Sequence, residues 1–136
     1  MSVRIAIAQL ELSTSAPAEN VRKMNESIVE AASNGAQLIV LPELANSGYA
    51  FKDLAEARRN AIEIKGPEVA HWVDLAREHD VAIVTGVALV EGQALRNSSI
   101  IIDGGGVLGK YDKAHLWNSE PDYFIAGDKV IGFAVP

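Results

Sequence analysis

The stretch LIVLPELANSGYAF, residues 38–51, begins with four apolar residues, Leu38-Ile39-Val40-Leu41, and turns polar at Pro42-Glu43. A short apolar run closed by a turn signal is the pattern of a strand buried on both faces, the kind that parallel sheets contain. Proline fixes the backbone just past the run. The carboxylate of Glu43 therefore stands at the C-terminal mouth of a strand, where open α/β sheets bind their ligands. Locally, Glu43 reads either as a solvated loop glutamate or as a functional acid, and burial separates the two.

The flanking sequence supplies the rest of a sheet. Residues 3–9 place Val3, Ile5 and Ile7 at alternate positions and predict a first strand. Over 17–34, Val21, Met24, Ile28 and Ala31/Ala32 recur at helical spacing, and Gly35 follows where a helix end favours glycine. Asp53 caps a short predicted helix over 54–61. Gly66-Pro67 opens another, with Val69, Trp72/Val73 and Ala76 on one face. Strands are predicted at 81–90, 94–102 and 107–111, with turns at Glu91-Gly92 and Asp103–Gly106, and a further strand over 129–135. The order β-α-β-α-α-β-β-β implies parallel pairing early and antiparallel hairpins late. It predicts an α/β fold, a mixed β-sheet with helices on one face.

Composition sets outer bounds. The 136 residues are 49% hydrophobic, enough for a core, and carry a formal net charge of -6. The acidic balance and scattered basic residues argue against nucleic acid as a partner. No cysteine is present, so these residues form no disulfide and no thiolate metal site. His71, His79 and His115 fall in no zinc-binding spacing, and no metal or cofactor is expected. Gly104-Gly105-Gly106 lies between two strands, without the following helix that a phosphate-cradling loop needs, and reads as a β-turn. The apolar run near the N-terminus is short for a signal peptide, and no segment approaches a membrane span. A soluble cytoplasmic protein is the expectation.

A second chemically dense stretch is GKYDKAHLWNSEPDYFIAGD, residues 109–128. Lys113 directly follows a predicted strand, and Glu120 sits among Trp117, Tyr123 and Phe124. Alone, this reads as a surface loop with an ordinary salt bridge, or as a charged pocket with apolar walls.

Together the two stretches resemble the nitrilase superfamily of carbon-nitrogen hydrolases. Pro42-Glu43 and Gly48-Tyr49 match the first motif of that family. Tyr111, Lys113, His115, Leu116, Glu120, Phe124 and Gly127 match the second in order. The opening RIAIAQL and the hairpin NSSIIIDGGGVLGKY are also similar to family members. The resemblance implies that residues 1–136 are the N-terminal portion of a single domain, part of a nitrilase-like α-β-β-α sandwich. It implies a Glu-Lys-Cys mechanism on an amide or N-carbamoyl substrate, with Glu43 as base, Lys113 as oxyanion-stabilising cation and Glu120 as the positioning acid. The cysteine would lie outside these residues, so the segment alone is expected to be inactive. Tyr49 and Trp117 are candidate substrate contacts. The implied partners are the C-terminal half of the same fold and further copies in a homo-oligomer. A non-catalytic truncated or degenerate relative, serving as a ligand- or partner-binding module, is the alternative.

Overall fold

The computed structural model describes residues 2–132. Its elements follow the predicted order: β1 (Ile5–Ile7), α1 (Pro17–Ser33), β2 (Leu38–Val40), α2 (Leu54–Asn60), α3 (Pro67–His79), β3 (Ala82–Glu91), β4 (Ala94–Asp103), β5 (Gly106–Asp112) and a 3₁₀ turn at Glu120–Asp122. The five strands lie in sequence order in one sheet. β1, β2 and β3 run parallel, and β3-β4 and β4-β5 are antiparallel hairpins.

Local chemistry explains the boundaries. Pro17 and Pro67 occupy the first helical turns of α1 and α3, where a missing N–H costs nothing. The Asp53 side chain accepts the Glu56 N–H, capping α2 as expected. Gly35, at φ +81, takes the left-handed position after α1. β1 and β2 are shorter than the predicted runs of 3–9 and 38–41. Residues 129–132 form no strand, which corrects that part of the last predicted strand, and 133–135 lie outside the described residues.

α1 and α3 pack on one face of the sheet. Met24, Ile28, Val69, Trp72 and Ala76 meet Ile39, Ile83, Val87, Ile100 and Ile102 there, all buried. The indole N–H of Trp72 is satisfied by Asn25 Oδ1 at 2.8 Å. A second cluster joins Leu44, Phe51 and Ala57 to Ala88, Leu95 and Phe124. Strand alternation puts Ala88 on the face opposite Val87 and Leu89, so this cluster covers the other side of the sheet at one end. Beyond it, among the described residues, that face is bare: register aligns Ile7, Val40, Val84 and Ile101 in one apolar row across four strands.

Candidate active site

Past β2 the chain cannot continue as a strand, because Pro42 lacks an N–H. Its backbone instead crosses close over β3. Gly86 N–H donates to the Pro42 carbonyl at 3.0 Å, and Ala45 N–H donates to the Gly86 carbonyl at 2.8 Å. Gly86 is required by this approach: a Cβ there would lie 2.4 Å from Glu43 Cα. Asn46 is buried and grips Ala88 on both backbone groups, accepting from its N–H at 2.9 Å and donating to its carbonyl at 3.3 Å. Asn60 donates to the carbonyls of Thr14 and Ser47. These amides supply the partners that an irregular buried segment otherwise lacks.

On the other side, Lys113 N–H donates to the Asn97 carbonyl at 2.8 Å, which extends the β4-β5 pairing by one residue. Gly127 N–H donates to the Lys113 carbonyl at 3.0 Å and returns the following loop to β5. Phe51, Tyr123 and Phe124 stack edge to face, and the Tyr123 hydroxyl donates to the Phe51 carbonyl at 3.1 Å. That aromatic group fastens the loop carrying Glu43 to the loop carrying Glu120.

The result is convergence of Glu43, Lys113 and Glu120 from separate parts of the chain. Lys113 Nζ donates to Glu43 Oε1 at 2.8 Å and to Glu120 Oε1 and Oε2 at 3.0 and 2.9 Å. Trp117 N–H donates to Glu120 Oε2 at 2.6 Å. Asn97 Nδ2 donates to both acids, to Glu43 Oε1 at 2.8 Å and to Glu120 Oε1 at 2.7 Å. Every oxygen of Glu120 is thus occupied, whereas among the described residues Glu43 Oε2 has no hydrogen-bond partner. Beside the trio, a groove of about 280 Å³ runs along the bare sheet face, lined by Val40, Val84, Ser99 and Tyr111 as well as Glu43 and Lys113.

Burial differs between the two acids. Glu120 is the desolvated acid, its side chain 5% exposed, and the Glu43 side chain is 45% exposed. An apolar strand does not bury a carboxylate that lies past its end. Burial alone would push the Glu120 carboxyl up. The Trp117 N–H, the Lys113 ammonium and the Asn97 amide outweigh it and hold that carboxyl below the usual range. Burial likewise works against the Lys113 ammonium, but the bonds and charges of Glu43 and Glu120 raise it well above an ordinary lysine. The Tyr49 phenol is raised by partial burial and by the charge of Glu120, with Lys113 opposing.

The two candidate substrate contacts differ in placement. Tyr49 is half-exposed within the field of the trio, whereas the Trp117 indole is 65% exposed and only its backbone touches Glu120. His115 is exposed. Sequence reading missed Asn97, Asn46 and Asn60. The available signal for Asn97 was a polar run, Arg96-Asn97-Ser98-Ser99, within a predicted strand that ends in Ile100-Ile101-Ile102.

A mixed sheet that gathers two acids and a lysine beyond its strand ends is an α/β scaffold, an architecture that hosts many chemistries. This chain belongs to the carbon-nitrogen hydrolase family, whose model matches residues 4–135. It is 38% identical over 134 residues to a nitrilase of Pyrococcus abyssi, covering 98% of this chain and 50% of that protein. It is 35% identical over 134 residues to the 2-oxoglutaramate amidase of Bacillus subtilis, covering 95% of this chain and 50% of the relative. Among solved structures, a CN-hydrolase superfamily protein from Xanthomonas campestris superposes with TM-score 0.79 at 27% identity, over 93% of this chain and 47% of that one. The chain spans about half the length of these relatives. Among the described residues no helix is long and apolar enough to cross a membrane.

Proposed function

We propose that this chain supplies the base and the cation of a hydrolase that cleaves a non-peptide carbon–nitrogen bond in a small amide or N-carbamoyl substrate. The convergence of Glu43 and Glu120 on the Lys113 ammonium carries the reading. The nucleophile is a cysteine from outside residues 1–136. The amidase from Nesterenkonia sp. AN1, whose fold this chain shares, has an active site cysteine.

Each group has a defined task. A thiol of ordinary pKa, about 8.5, is mostly protonated at neutral pH and needs a base as it attacks. Glu43 takes the thiol proton while sulfur bonds to the substrate carbonyl carbon. The carbonyl π electrons move to oxygen, and the Lys113 ammonium stabilises the oxyanion. Collapse of the tetrahedral adduct expels ammonia or an amine, which leaves with the proton from Glu43, and a thioester remains. Glu43 then deprotonates a water that attacks the thioester, and the acid and the free thiol are released. Glu120 holds Lys113 between the two carboxylates. The complete protein is proposed to be a cytoplasmic homo-oligomer, with the C-terminal half of the fold on the bare sheet face. Residues 1–136 alone are proposed to be inactive.

In the complete enzyme, Glu43→Gln and Lys113→Ala should each lower kcat for ammonia release by about 10²–10⁴-fold while the circular dichroism spectrum is retained. Full turnover in either variant would end this reading. The lack of cysteine in these residues favours one alternative, a binding module that retains the pocket. A purified protein of 14.5 kDa that binds an amide without cleaving it would establish that instead.

A further inference from the structure

We infer that Asn97 is a positioning residue of this site: it anchors Glu43 Oε1 and presents Oε2 as the oxygen that takes the proton. The inference rests on the hydrolase reading above.

Asn97 lies in the middle of β4 and is 4% exposed. A buried amide in a strand is unfavourable unless its polar atoms are satisfied. Here both donations of Nδ2 go to carboxylates, Glu43 Oε1 and Glu120 Oε1. Lys113 Nζ donates to the same two oxygens. Two donors and two acceptors therefore alternate in a closed ring, with one charged donor and one neutral donor. The neutral donor adds hydrogen bonds to two like charges without a second cation, so the site keeps its net negative charge.

The backbone fixes Asn97 from both sides. It pairs with Ala88 across β3-β4, and Ala88 is gripped by Asn46. Its carbonyl accepts the Lys113 N–H. The amide is thus referenced to the two segments that carry Glu43 and Lys113. With Oε1 held by two donors, an arriving proton goes to Oε2. Without Asn97, the half-exposed Glu43 would keep one hydrogen bond, from Lys113 Nζ, and its carboxylate would turn about that single contact.

The test uses the complete enzyme with Asn97→Ala and the isosteric Asn97→Asp. Asn97→Ala should lower kcat by about 10–100-fold, the scale of a misplaced reacting group, with KM changed by less than about threefold. The acid limb of kcat/KM should move to higher pH, because Glu120 loses a donor that favours its ionised form. The ¹³C carboxyl resonance of Glu120 should titrate at higher pH in the same variant. Asn97→Asp should lower kcat further by placing a third acid in the ring. An unchanged kcat, an unmoved acid limb and Glu120 titration, or failure of both variants to fold would each overturn the proposal. The Glu120 titration needs no substrate. An inactive wild type would defeat the hydrolase reading, and the resonance shift would then decide the role of Asn97 alone.

Discussion

Glu43 and Glu120 share one ammonium but sit in different surroundings. Glu120 is enclosed, and donors on both oxygens keep it ionised, which suits a fixed counter-charge better than a proton carrier. Among the described residues Glu43 has one oxygen without a hydrogen-bond partner, and it is exposed to a groove, as a proton carrier requires. The lowered Glu120 pKa links to stability. A carboxyl whose folded pKa lies below its ordinary value of 4.5 adds stability that is complete above that value and is lost as pH falls through the folded pKa. Glu120→Gln should therefore lower the melting temperature at neutral pH and flatten its decline below about pH 4.5. A parallel, undiminished acid decline in the variant would contradict this. His115 is exposed. His115→Ala should change the unfolding free energy by less than about 0.5 kcal/mol in urea titration.

At the scale of elements, the site depends on a close crossing. The Pro42-Glu43 backbone lies against β3 at a residue without a side chain, and the left-handed Leu44, at φ 49, turns inward to the second cluster. Gly86→Ala would force the Glu43 segment off β3 and break two backbone hydrogen bonds. The expected cost is about 1–3 kcal/mol by urea unfolding, as for overpacked cores, accompanied by loss of turnover. Unchanged stability would show that the crossing tolerates a methyl group. Arg96 latches the far side of the same frame: its guanidinium donates to the carbonyls of Ile125 and Ala126 at 3.1 and 2.9 Å, and its Nε bonds Glu91 at 2.9 Å. That latch closes the loop on which Glu120 rides.

At the scale of the molecule, one face of the sheet is sealed by α1 and α3, and among the described residues the other is closed only at the end bearing the site. Ile5 and Ile7 are 55% and 81% exposed, and Val3 beside them 63%. Contiguous apolar exposure of this kind marks a surface that associates. Residues 1–136 expressed alone should form dimers or larger aggregates in size-exclusion chromatography with light scattering. A monodisperse monomer with cooperative unfolding would refute this. The exposure of Glu43 has the same origin, since the open groove beside it continues onto the bare face.

The order of elements and the site motifs were legible because each rests on local chemistry. Apolar spacing over Met24, Ile28, Val69 and Trp72 marks helix faces, Asp53, Pro17 and Pro67 mark helix starts, and Pro42-Glu43 and Lys113 mark strand ends. Even the bare face is written in β1, where alternating Val3, Ile5 and Ile7 reads as a strand, though not which side stays open. Distribution of burial was decided by the tertiary structure, because exposure of a side chain depends on segments remote in sequence. Glu120 is enclosed by contacts from β4 and its own loop, while Glu43, after a wholly apolar strand, remains half open. The same holds for Asn97. Its side chain acquires a role only when pairing with β3 and β5 brings two acids 23 and 54 residues away within reach of one amide nitrogen, and no local pattern encodes such a distance.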